Sequence, residues 1–134
     1  MRDLHFPGRS TVHAVNGICA TSQPLAAEAA ISILRAGGDA VDGAIAASAV
    51  LCVVGPYNTG IGGDCFVLLS KGGSGDIIGL NGSGRSPKAL SLEKLRSVEG
   101  TLALNSVHSV TVPGAIDAWA RLIEDHGTME LGRV

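Results

Sequence analysis

The sequence predicts a mixed α+β chain, and three observations carry that class. Two apolar segments with helical start and stop signals stand in the first half. Two short apolar runs then flank a glycine-rich loop, which is the pattern of a hairpin. A third, amphipathic helical segment follows near the end.

The bulk numbers set limits on what such a chain does. Its 134 residues correspond to one domain or part of one. Apolar residues make up 46% and aromatics only 3%, so the core is built of Ala, Val, Ile and Leu and offers few platforms for stacked bases. Ten basic residues against twelve acidic ones give a net charge of −2. No basic stripe appears, which argues against a nucleic-acid partner. Cys19, Cys52 and Cys65 are widely spaced and form no C-x-x-C pair. A disulfide framework or metal site is not expected, and free buried thiols in a reducing compartment are.

Taken in order, "AVNGICAT" (14–21) is a candidate strand. "SQPLAAEAAISILRAGG" is a helix with Ser22 or Gln23 as cap and Pro24 in its first turn. Leu25, Ala29 and Ile33 share one face with Ala26, Ala30 and Leu34 beside it, while Glu28, Ser32 and Arg35 form the wet stripe. Gly37-Gly38 supply a left-handed exit. "DAVDGAIAASAVLCVVGP" is a second helix in which Asp39 caps and Asp42 completes a capping box. No charge follows until Asp64, so this helix should be apolar nearly all round and buried in a larger assembly. Its longest uncharged run, 43–55, is too short to span a bilayer, and no membrane partner is expected. "CFVLLS" and "DIIGLN" are strands of a hairpin around "KGGSG". A short helix starts after Ser91 with Leu92 and Leu95 inward. "SVTVPG" is another strand. "GAIDAWARLIEDHG" is a helix with Ile116, Trp119, Leu122 and Ile123 inward, and His126 suits the negative end of its dipole. The opening "MRDLHFPGRSTVHAV" has no apolar core of a signal peptide, so a cytoplasmic location is expected. The incompletely covered second helix suggests the front part of a larger protein.

Generic chemistry motifs are weak. Gly79, Gly84, Arg85 and Ser86 give G-x-x-x-x-G-R-S, close to a phosphate-binding loop. Pro87 lacks an amide and opposes the helix such a loop must open. His5, His13, His108 and His126 are scattered and match no zinc pattern. Asp39, Asp42 and Asp64 fit caps and turns better than paired acid and base. The residues alone leave an α/β fragment with an anion-friendly glycine loop.

Several stretches together resemble one family. "ATSQPLAAEAAISILRAGGDAVDGAIAASAVLCVVGPYNTGIGGDCFVLL" and "VTVPGAIDAWARLIEDHGTMEL" are similar, in order and spacing, to the gamma-glutamyltranspeptidases (glutathione hydrolases). That resemblance implies a fragment of the four-layer αββα fold of N-terminal-nucleophile hydrolases, with residues 1–134 forming the front of the large subunit without an internal boundary. It implies a precursor that cuts itself ahead of a threonine, whose amine and hydroxyl then carry acyl transfer of γ-glutamyl groups from glutathione-type substrates. The partners implied are the remainder of the large subunit and the threonine-initiated small subunit; a homo-oligomer is left open. No cofactor is expected. Thr11, Thr21, Thr59, Thr101, Thr111 and Thr128 do not match the processing motif, so this chain holds no catalytic residue and alone should be inactive.

Family members also carry D/N-x-R-E-x-x-P after the hairpin, where the arginine grips the substrate α-carboxylate. With the proline set on Pro87, Asn81 takes the first position, Ser83 the arginine position and Gly84 the glutamate position. Arg85 falls two residues late. Three readings stay open. Arg85 reaches the same pocket with Asn81 and Ser83 adding hydrogen bonds, or the pocket takes other acyl groups as an amide acylase, or Arg85 only braces the loop. Gly60, Gly62 and Gly63 should let the backbone turn sharply, and Asp64, where the family usually has another glycine, either adds an acceptor near the loop or, as the favoured reading, serves the turn. The competing functions are a related amide acylase, a phosphate-binding module on residues 79–86, and a non-catalytic truncated fragment.

Overall fold

The computed structural model describes residues 10–103 and 105–134. The absence of a signal peptide and His5 concern residues 1–9 wholly or in part, and to that extent lie outside the described residues. Helix α1 spans Pro24–Arg35. Gln23 is its cap position by backbone, with its carbonyl accepting from the amides of Ala26 and Ala27, but no side chain caps it. Proline in the first turn removes one of the amides that would need a cap. The buried face is set by Ala26 and Ala30, whereas Leu25 is 65% exposed, against expectation. The reason is the neighbour. Helix α2, Ala40–Val54, lies so close that a Cβ on Gly43 would stand 3.3 Å from the Ala30 carbonyl oxygen. Small residues make that approach possible, and they fix which way α1 faces. Gly37, with φ +95°, makes the left-handed exit between the two helices.

The start of α2 forms as expected. Asp39 Oδ1 accepts from the amides of Val41 and Asp42, and Asp42 Oδ2 accepts from the Asp39 amide at 2.8 Å. Such a reciprocal cap contributes about 1 kcal/mol or more to a helix. Asp42 does more than cap, however. Its carboxylate is fully buried and also accepts from the Thr128 hydroxyl at 2.6 Å, the Thr128 amide at 3.2 Å and the Met129 amide. Burial alone would push this carboxyl up, but those hydroxyl and amide donors outweigh it and hold it below the ordinary carboxylate value. The two glycines that flank it leave no room for anything larger. A Cβ on Gly38 would meet Asp42 Oδ2 at 3.1 Å, and one on Gly127 would meet Oδ1 at 2.7 Å. One carboxylate thus joins the start of α2 to the turn 86 residues further on.

Strands β1 (Cys65–Leu69) and β2 (Ile78–Gly82) pair antiparallel, with Cys65 opposite Gly82 and Leu69 opposite Ile78. Helix α3 spans Leu92–Val98 and helix α4 Ala115–His126. Ser91 caps α3, but Leu92 is 62% exposed and Leu95 alone turns inward. The main core joins Val41 and Ile45 of α2 to Trp119, Leu122 and Ile123 of α4, with Cys65, Val67, Leu69 and Leu80 of the hairpin packed over them. Each fully buried side chain of that size contributes about 1.5–3 kcal/mol. The other hairpin face, with Phe66 and Leu68, is exposed.

Three further expectations fail. Residues 14–21 and "SVTVPG" are not strands among the described residues. A strand exists only when paired, and neither segment has a ladder partner. The second instead contains the end of a 3₁₀ turn, Val107–Ser109, and then bonds singly to two loops. Ile116 is half-exposed, because α4 turns Ala115, Ala118 and Trp119 to the core. Helix α2 leaves Ala44, Ala49 and Val53 exposed, the sides for which the sequence expects cover from a larger assembly. Among the described residues no helix is long and apolar enough to cross a membrane.

Candidate functional site

The chain leaves β2 at Gly82 and runs through Ser83, Gly84 and Arg85 without regular structure. Asn81 starts the bend. Its side-chain oxygen accepts from the Ser83 amide at 3.0 Å, an Asx turn. The loop then seats on residues 111–114. The Arg85 carbonyl accepts from the Val112 amide at 2.9 Å, and the Gly84 amide donates to Asp64 Oδ1 at 2.7 Å. Thr111 Oγ1 donates to the same Asp64 oxygen at 3.2 Å. Beside it, the Gly63 carbonyl accepts from the amides of Gly114 and Ala115, the first of α4.

This crossing is backbone against backbone. A Cβ on Gly84 would lie 1.8 Å from the Val112 carbonyl oxygen, and one on Gly114 would lie 2.4 Å from the Gly82 carbonyl oxygen. Neither neighbour is a side chain that can give way, so both positions require glycine. Sequence reading placed the glycine requirement elsewhere. Gly60 and Gly62 have open space around them, none of Gly60, Gly62 and Gly63 has a positive φ, and the turn there closes through an ordinary bond from the Gly63 amide to the Gly60 carbonyl. Asp64, expected to serve that turn, acts across the chain instead. Its signal was the one charge in a long uncharged stretch.

Of the expected site residues, Asn81 and Ser83 are joined by the Asx turn, and Arg85 bonds to neither. All three are exposed. The Arg85 guanidinium makes no ion pair or hydrogen bond among the described residues. It is anchored by its backbone and free at its tip, the arrangement a planar cation needs to meet a carboxylate from outside. Bracing of the loop by the Arg85 side chain has no contact to support it; the backbone does the bracing. Nor does the loop fit phosphate. Ser86-Pro87 leads to a turn, the next helix begins only at Leu92, and the Gly84 amide already faces a carboxylate. The phosphate-binding alternative is therefore dropped.

The remaining chemistry is structural. The hydroxyls of Thr59, Thr111 and Thr128 each donate within the fold. The three cysteines are free and half-buried, and burial pushes the Cys65 thiol up against a smaller opposing effect of Trp119. A raised thiol is a poor nucleophile at neutral pH. Among the described residues no cluster of His, Cys, Asp and Glu could hold a metal ion. Asp64 and Gly63 also line a cavity of about 280 Å³ with Ser48, Cys52, Asn58 and Thr59, and Asn81, Ser83 and Arg85 do not.

Comparison with known proteins places this frame. The family model described as gamma-glutamyltranspeptidase matches residues 26–134. A glutathione hydrolase-like proenzyme of Bacillus subtilis is 38% identical over 111 residues, which are 82% of this chain and 21% of that protein. The crystal structure of a cephalosporin acylase from Bacillus halodurans shares 40% identity with a TM-score of 0.71, over 94% of this chain and 25% of that one. The Helicobacter pylori gamma-glutamyltranspeptidase structure superposes with a TM-score of 0.81 at 24% identity, over 92% of this chain and 36% of that one, a likeness of fold. The chain spans about a fifth of the length of the curated relatives it matches.

Proposed function

We propose, for a chain that belongs to the gamma-glutamyltranspeptidase family, that residues 1–134 are the front part of the large subunit of an enzyme that hydrolyses or transfers γ-glutamyl groups. The nucleophile is a threonine outside this chain, freed when a precursor cuts itself. Its amine and hydroxyl serve as base and nucleophile. The remainder of the large subunit and the threonine-initiated small subunit complete the fold over the exposed sides of α2 and the hairpin. Here the role of this chain is recognition. Arg85, on its fixed backbone, meets the substrate α-carboxylate, and Asn81 and Ser83 offer hydrogen bonds beside it.

The observation that carries this reading is the family match over residues 26–134, joined to an exposed arginine whose guanidinium has no partner among the described residues, in the loop after β2. The test begins with expression of the complete gene and intact masses of everything that co-purifies. A second polypeptide that begins with threonine, with turnover of γ-glutamyl-p-nitroanilide, is the expected result. Replacement Arg85→Ala should then raise KM for that substrate about tenfold or more, the loss of a charge-assisted contact. An unchanged KM removes Arg85 from the site.

A second reading has its own support. The 40% identity to a cephalosporin acylase is higher than the identity to the gamma-glutamyltranspeptidase structure, and Arg85 stands two residues late. An enzyme that processes itself but turns over other amides faster than γ-glutamyl ones would be an acylase of different acyl preference.

A further inference from the structure

The backbone that carries Arg85 is bonded on both sides of its Cα, and one of the two anchors is a side chain. Asp64 stands just before β1 and turns its Oδ1 onto the Gly84 amide, 20 residues away, at 2.7 Å. A carboxylate accepting an amide makes a short, charge-assisted bond, about twice as strong as a neutral one. Gly84 directly precedes Arg85. The Arg85 carbonyl is held in turn by the Val112 amide. The guanidinium is then the free part of the residue.

The anchor is also tied to its surroundings. Thr111 donates to the same Asp64 oxygen, and Gly63 next to it accepts the first amides of α4. The Gly63-Asp64 pair therefore registers the Arg85 loop against the start of that helix. Asp64 makes no ion pair with Arg85 within 4.0 Å. The acid acts on the backbone and leaves the cation available.

We propose that Asp64 is a positioning residue for recognition of the substrate carboxylate, acting through the Gly84 amide to set where the Arg85 guanidinium emerges. This rests on the reading that Arg85 meets the α-carboxylate of a γ-glutamyl group. Asparagine at 64 keeps an acceptor for Gly84; alanine does not.

The test uses the complete, self-processed enzyme and two anilides, γ-glutamyl-p-nitroanilide and 4-aminobutyryl-p-nitroanilide, which lacks only the α-carboxylate. Asp64→Ala should raise KM for the first about tenfold with little change in kcat, the loss of one charge-assisted hydrogen bond. Asp64→Asn should restore KM to within about threefold of wild type. Neither should move KM for the second anilide, which a merely structural defect would affect equally. If Asp64→Ala does not yield processed enzyme, Thr111→Val, which removes one donor to Asp64, should raise KM for the first anilide alone by about threefold. Equal losses on both anilides, or no change on the first, overturn the assignment of Asp64 while the reading of Arg85 stands. A wild type without γ-glutamyl turnover, or an Arg85→Ala enzyme with unchanged KM, overturns that reading and the role of Asp64 with it.

Discussion

Asp42 and Asp64 perform the same bonding under opposite conditions. Each is an acceptor that ties together segments distant in sequence, Asp42 across 86 residues and Asp64 across 20 and 47. Asp42 is fully buried between Gly38 and Gly127 and collects donors on both oxygens. Asp64 is exposed and uses one oxygen. In water an amide released from a carboxylate is resolvated, whereas in a closed site it is left without a partner. The buried crossing therefore governs stability, and the exposed one governs where a loop points.

The largest effect expected follows from the buried member. Asp42→Ala removes the shared acceptor of the Thr128, Met129 and Asp39 amides and should cost about 3 kcal/mol or more, read as the shift in denaturant midpoint of the processed enzyme. The same group makes a pH prediction. Its folded-state carboxyl lies below the ordinary value of about 3.9, so its contribution is complete above that value and is lost as pH falls through it toward the folded value. Asp42→Asn, which does not titrate, should lose less stability between pH 6 and about pH 3 than wild type does. A steeper acid loss in the variant would reverse the assigned sign.

A matched pair of glycine substitutions sharpens the contrast. Gly127→Ala places a Cβ 2.7 Å from Asp42 Oδ1 and about as near the Ile123 backbone, and Gly84→Ala places one 1.8 Å from the Val112 carbonyl oxygen. Each overpacks its crossing and should cost about 1–3 kcal/mol. The difference lies in the readout. Gly84→Ala should raise KM for a γ-glutamyl substrate, and Gly127→Ala should lower the midpoint without moving KM. The smallest effect belongs to the exposed Arg121–Asp117 pair at 3.1 Å on α4, where both side chains are about two-thirds or more exposed. Arg121→Ala should shift the midpoint by no more than about 0.5 kcal/mol, because water screens such pairs.

Much of the local structure was legible in the order of residues. Pro24 and the Gly37-Gly38 exit bracket α1, Asp39 with Asp42 announces α2, and the apolar runs around "KGGSG" give the hairpin. These signals are short-range, since caps, turns and period all act within about one helical turn. The family resemblance was legible as well, because several such signals recur in fixed order. The candidate site was legible in part. Arg85, Asn81 and Ser83 could be named from their place before Pro87, yet nothing in the sequence says that Arg85 is held by its backbone.

What only the tertiary structure decided is each choice that depends on a partner far along the chain. Leu25 and Ala26 were equally eligible for the face of α1, and the close approach of α2 selected the alanine. Residues 14–21 and "SVTVPG" had the composition of strands, and lack of a pairing partner withheld the ladder. Asp42 and Asp64 both passed for local cap or turn residues until packing brought Thr128 to the first and Gly84 to the second. A sequence specifies which groups can accept a hydrogen bond within a turn of themselves. Which distant donor arrives is set by the packing of whole elements, and here small residues at the crossings make that packing possible.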